Sequence, residues 1–181
     1  KSKERVAKFI EEVQVGSQLQ HPNIIPVHEL GVLGDGRLYF TMKEIKGREF
    51  STAIQAVHKA VKDNTWCATE DGWTFPRLIE VFHQVCSAMS FAHSRGVIHR
   101  DLKPSNVMIG SFKEVLVVDW GIAKVMGRED TTVDTIEDVV TQRTQDEDLH
   151  TRFGQISGTP SYMPPEQAMG KPDEIDMRSD I

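Results

Sequence analysis

The chain reads as an α+β fold, and three observations predict it. Val6, Phe9, Ile10 and Val13 recur at i, i+3, i+4 and i+7, which puts one apolar stripe on an opening helix that runs to about Gln20. Two runs rich in β-branched and apolar residues, 24–33 and 38–45, flank Gly34-Asp35-Gly36, which supplies the positive-φ positions of a hairpin turn. A second, longer helical pattern begins near Pro76, with Leu78, Val81, Phe82 and Val85 on its buried face.

Each element has a start and a stop. His21-Pro22-Asn23 ends the first helix, because the residue before a proline is pushed out of the helical region. After Gly47 the pattern turns helical again, and the polar stretch 62–72 is a loop. In the long helix Ala88 and Ala92 allow close packing, and Gly96 stands where a C-terminal cap belongs. Short apolar runs at 97–98, 107–109 and 115–118 then alternate with polar turns, so the polar residues between them sit on loops held by small strands. Residues 128–151 are rich in Asp, Glu and Thr and poor in apolar residues, the composition of a solvated loop.

Composition narrows the function by exclusion. A formal charge of -6 argues against a protein that holds nucleic acid by neutralising phosphates. The two cysteines, Cys67 and Cys86, fit neither a paired zinc motif nor a disulfide scaffold, and the scattered histidines have no metal-ligand spacing. Reduced cysteines imply a cytoplasmic setting. The apolar run 115–118 is far shorter than the ~20 residues that span a bilayer. The segment makes no membrane contact of its own, although its parent could be anchored elsewhere.

The chemistry concentrates in His99-Arg100-Asp101-Leu102-Lys103-Pro104-Ser105-Asn106, followed by Asp119-Trp120-Gly121 and Met163-Pro164-Pro165-Glu166. This set resembles the signature of protein kinases, over essentially the whole chain. The wording of 107–124 and Pro165-Glu166-Gln167-Ala168 is similar to bacterial eukaryotic-like serine/threonine kinases. The resemblance implies a two-lobed kinase-like fold, incomplete at both ends, with residues 1–45 the remnant of the small lobe and 46–181 part of the large lobe. It implies ATP and Mg2+ as cofactors and a protein Ser or Thr as acceptor. Asp101 would accept the substrate hydroxyl's proton, Lys103 would neutralise the moving phosphoryl group, and Asn106 and Asp119 would offer oxygens to magnesium.

On the nucleotide side the resemblance assigns Glu12 to pair with a phosphate-binding lysine upstream of residue 1, together with a Gly-rich loop. Gly16 stands where the family has a bulky apolar residue, and Trp120 replaces the usual Phe as an apolar anchor. Met42 would line the back of the adenine pocket, Lys43 and Ile45 would offer backbone groups to the base, and Met108 would pack under it. Glu49 would reach the ribose, and Ser105 belongs to the same cofactor set. Thr159 is expected to bond toward Asp101 and Lys103, and Glu166 to serve the substrate-docking segment. Arg100 would receive a phosphate placed on the activation segment at Thr151 or Ser157, with Thr144 and Thr141 next. The competing reading is that the acidic run Asp146-Glu147-Asp148 already neutralises it. A pseudokinase or scaffold that keeps the fold without transfer is the alternative to the enzyme.

Overall fold

A computed structural model describes residues 2–121, 123–126 and 158–181. Helix α1 (Ser2–Gln18) is followed by strands β1 (Val27–Val32) and β2 (Leu38–Met42), an antiparallel hairpin with Leu30 opposite Phe40. Both strands are shorter than the sequence runs; the first begins only after Pro26, which has no N–H to pair, and its pairing is irregular between Val27 and Glu29. Within the turn Gly36 takes a positive φ of 85°, and Gly34 and Asp35 do not. On α1 the stripe is graded: Val13 is buried, Phe9 and Ile10 are half-buried, and Val6 is exposed. Phe9 packs on Phe40 with ring centroids 5.3 Å apart, joining helix to hairpin.

A short strand that the sequence reading missed, β3 (Gly47–Glu49), pairs with β5 (Val107–Gly110), which pairs in turn with β6 (Val115–Val117). Gly47 is required here: a Cβ would fall 2.0 Å from the Ile109 carbonyl oxygen. Helix α2 (Phe50–Lys59) follows. Helix α3 (Phe75–Ser94) starts from Thr74, whose side chain accepts from the Arg77 N–H, and ends before Gly96 with its φ of 71°. Strands β4 (Val97–Ile98) and β7 (Lys124–Val125) pair antiparallel, and the short helix α4 is Pro165–Ala168.

One apolar cluster runs through these elements, with Val15, Leu19, Ile24, Val57, Val85, Val97, Val117 and Trp120 among its members. Leu78, Val81, Val85, Ala88 and Ala92 of α3 are buried in it, as the periodicity requires. Phe82 is a correction, because it is 56% exposed. It lies on the flank of the buried stripe and faces a cavity of about 700 Å3 shared with Met89, Val107 and Met177. No described helix is long and apolar enough to cross a membrane.

Candidate active site

The loop after β4 is built around a buried imidazole. His99 is fully buried, its Nδ1 accepts from the Asp101 N–H at 3.3 Å, and its Nε2 lies 3.1 Å from the Val118 carbonyl oxygen. Burial pushes the ring's pKa down, so it is neutral and bonded at both nitrogens. The next residue, Arg100, has a φ of 66°, a conformation that costs a non-glycine residue about 1–3 kcal/mol. Asp180 holds that conformation in place. Its Oδ1 accepts from the Arg100 N–H and its Oδ2 from the His99 N–H, each at 2.8 Å, and Oδ2 also bonds His93 Nε2 at 2.8 Å. Sequence reasoning missed Asp180, since nothing local marks a carboxylate about eighty residues from the loop that it braces.

Asp101, Lys103, Asn106 and Thr159 are brought together. Asp101 Oδ1 accepts from Thr159 Oγ1 at 2.7 Å, and Oδ2 accepts from Lys103 Nζ at 2.7 Å and Asn106 Nδ2 at 3.2 Å. Lys103 Nζ also donates to Thr159 Oγ1 at 2.5 Å, which closes the ring. Burial would push the Asp101 carboxyl up, but the bonds from Lys103 and Thr159 and the Lys103 charge outweigh it and hold it below the usual value. Asp101 is therefore a carboxylate at neutral pH, able to accept a hydroxyl hydrogen.

Asn106 Nδ2 is spent on Asp101, including its carbonyl at 2.9 Å, which leaves Oδ1 as the acceptor available to a cation. The Val118 N–H donates to the Asn106 carbonyl at 2.9 Å and ties this turn to Asp119. Asp119 has a φ of 66°, the second strained position in the site. A Cβ on Gly121 would lie 3.3 Å from Glu12 Oε2 and 3.4 Å from Asp119 Oδ1, so both carboxylates converge on that glycine's backbone. Burial first, and then the Asp119 charge, raise the Glu12 pKa. Asp119 and Asn106 Oδ1 are the hard oxygens here whose chemistry fits Mg2+, although among the described residues no group of three His, Cys, Asp or Glu side chains gathers at one point.

Trp120 packs on His99 with centroids 4.7 Å apart and is 3% exposed. It is the apolar anchor expected, with one difference: its buried Nε1 has no hydrogen-bond partner among the described residues, which costs about 1–3 kcal/mol that a Phe would not incur.

The cofactor set is more dispersed. Met42 is 47% exposed at the end of β2. The Lys43 N–H donates to the Pro26 carbonyl at 3.3 Å, so a base would meet its carbonyl and not its N–H. Ile45 is half-buried. Glu49 stands opposite Met108 across β3 and β5, and its Oε2 accepts from Ser51 Oγ at 2.7 Å. Ser105 is half-buried in the 3-10 turn Pro104–Asn106.

Around the docking segment, Glu166 Oε1 accepts from Ser179 Oγ at 2.5 Å, and Gln167 Nε2 donates to the Arg100 carbonyl at 2.7 Å. Arg100 Nη2 donates to the Ala123 carbonyl at 3.3 Å. Its charge also helps burial to lower the pKa of nearby Lys124. Thr151, Ser157, Thr141, Thr144 and the acidic run Asp146-Glu147-Asp148 lie outside the described residues.

A carboxylate ringed by a lysine and a threonine, with a second carboxylate and an amide oxygen on the following turns, is a set of groups that suits phosphoryl transfer to a hydroxyl. The chain belongs to the protein kinase domain family, whose model matches residues 1–181. It is 37% identical over 172 residues to the serine/threonine-protein kinase PknD of Protochlamydia amoebophila, covering 93% of this chain and 17% of that protein. It is also 37% identical over 180 residues to serine/threonine-protein kinase pkn3 of Myxococcus xanthus, covering 97% of this chain and 27% of that protein. PknD of Chlamydia pneumoniae is 33% identical over 168 residues. The chain thus spans a minor part of the length of these relatives.

Proposed function

We propose that this chain is part of a serine/threonine protein kinase catalytic domain, which transfers the γ-phosphoryl group of ATP to Ser or Thr hydroxyls of protein substrates. The observation that carries this reading is the ring of Asp101, Lys103 and Thr159. Asp101 Oδ1 already takes a hydroxyl hydrogen bond of 2.7 Å from Thr159, the geometry in which a substrate hydroxyl would be oriented and its proton accepted. Lys103 Nζ, at 2.7 Å from the same carboxylate, stands where it can offset charge on the phosphoryl group in flight.

Asp119 and Asn106 would hold Mg2+, which when bound supplies charge neutralisation for the phosphates. Glu12 would orient a phosphate-binding lysine. Met42, Lys43, Ile45, Glu49, Ser105 and Met108 would complete the nucleotide pocket, with residues 1–45 acting as small lobe and 46–181 as large lobe. Arg100 beside Lys124 supports an anion pocket that a phosphate on Thr151 or Ser157 would fill, and Glu166 with Gln167 would brace the docking segment. The free cysteines Cys67 and Cys86 support a cytoplasmic setting as part of this reading.

The test uses the full-length protein that carries this chain, γ-labelled ATP and a generic basic protein, followed by phosphoamino-acid analysis. Phosphoserine or phosphothreonine is the expected product. Predominant phosphotyrosine would reverse the acceptor class, and no transfer at all would make the protein a scaffold.

A further inference from the structure

The turn that joins β5 to β6, residues 111–114, is more tightly built than a link between two short strands requires. Lys113 holds a φ of 69°, a conformation that costs a residue with a side chain and persists only where the surroundings enforce it. The Gly110 N–H donates to the Glu114 carbonyl at 2.8 Å, and the Lys113 N–H to the Gly110 carbonyl at 3.0 Å. The Glu114 carboxylate folds back over the turn, where its Oε2 accepts from the Phe112 N–H at 3.0 Å. Gly110 makes room for it, since a Cβ there would collide with that carboxylate.

Both ends of the turn reach the segment 43–46 that follows β2. Lys43 Nζ lies 3.6 Å from Glu114 Oε1. The Lys46 carbonyl accepts from the Ser111 N–H at 2.8 Å and again from Ser111 Oγ at 2.7 Å. The Lys43 N–H is itself fixed on the Pro26 carbonyl, so Ile45 stands between two anchored residues. The bond from the Ser111 N–H continues the pairing of Gly47 with Gly110, and the backbone alone accounts for it. The hydroxyl bond and the Lys43–Glu114 pair are different, because no strand pairing demands them.

On the kinase reading above, on which this inference rests, Lys43 and Ile45 are the residues whose backbone groups face the base. We propose that Ser111 and Glu114 are positioning residues for nucleotide binding: the turn they build clamps 43–46 from behind and fixes where its backbone groups meet adenine. The side chains of Lys43 and Glu114 are 44% and 28% exposed, and a pair so open to water contributes little to stability on its own. The effect should therefore be read in base recognition and not in Tm.

The experiment measures dissociation constants for ATP·Mg2+ and ITP·Mg2+ by calorimetry, with Tm alongside, in the full-length protein. The variants are Ser111→Ala, Ser111→Thr and the double variant Ser111→Ala/Glu114→Gln. Inosine carries a carbonyl where adenine carries an amine, so ITP cannot donate to the Lys43 carbonyl. Ser111→Ala should weaken ATP binding about threefold and the double variant about fivefold, while ITP changes by less than about twofold. Ser111→Thr, which keeps the hydroxyl, should match the wild type. Unchanged ATP affinity in the double variant, with the wild type binding ATP, would overturn the inference and leave the kinase reading standing. Equal weakening of ATP and ITP would overturn it too, because a general loosening of the fold does not discriminate between bases. So would a Ser111→Thr variant as weak as Ser111→Ala. A wild type that binds neither nucleotide would instead defeat the reading on which the inference rests.

Discussion

Asp101 and Glu12 are carboxylates of one site, yet their surroundings push them in opposite directions. Asp101 is bonded by Lys103, Thr159 and Asn106, and its pKa is lowered. Glu12 is crowded by burial and by Asp119, and its pKa is raised. The loop around Asp101 is satisfied within residues 99–180, down to the Asp180 carboxylate under its strained backbone. The Glu12 side brings two like charges together on Gly121. On the kinase reading proposed above, the half of the site around Asp101 is preorganised by residues of this chain, whereas the half around Glu12 would be completed by cations.

The largest effect that would sharpen this comparison falls on Asp119. In the full-length kinase Asp119→Asn should remove the main magnesium carboxylate and lower turnover by about 10²-fold or more. Steady-state assays across Mg2+ concentrations check this, and near-normal turnover would break the assignment. Asp180→Ala comes next. It leaves two buried N–H groups without an acceptor and should cost about 3 kcal/mol of stability, read as a shift in denaturant midpoint at constant slope.

Asp180 also shows what the sequence could and could not convey. Asp101, Lys103 and Asn106 were legible because they lie within a few residues of one another and their spacing carries the chemistry. Asp180 was not, because its partners are about eighty residues away. The strand β3 escaped notice since three residues, one of them glycine, have no readable alternation. Phe82 was placed in the core because helical periodicity cannot tell the centre of a buried stripe from its flank. The indole N–H of Trp120 was visible as a chemical group, but only the packing shows it without an acceptor among the described residues.

A smaller effect is expected from Thr159→Val. Removing the hydroxyl takes one donor from Asp101, so the carboxyl's pKa should rise and the acid limb of the kcat/KM profile should move to higher pH. The sign on stability follows from linkage. A depressed Asp101 contributes stability above its ordinary value of 3.8, lost as the pH falls through its lower folded value, and the variant should lose part of that contribution. An acid limb that stays in place would contradict the ring.

Glu12→Gln should give the smallest change and one of opposite sign. With its folded pKa above the ordinary 4.5, Glu12 costs stability as the pH rises through that window and above it. The amide should therefore raise Tm by no more than about 2–4 °C without nucleotide, while weakening ATP·Mg2+ binding. A lower Tm together with unchanged binding would show that Glu12 is an ordinary surface carboxylate.

The most direct measurement of the central claim separates binding from transfer in the Asp101→Asn variant of the full-length protein. ATP·Mg2+ affinity by calorimetry and phosphoryl transfer to a protein substrate are measured on the same preparation. The account predicts that transfer falls by about 10²–10³-fold while the dissociation constant for ATP·Mg2+ stays within about threefold of wild type. Transfer at near wild-type rate would contradict the role of Asp101 as the base that receives the hydroxyl proton.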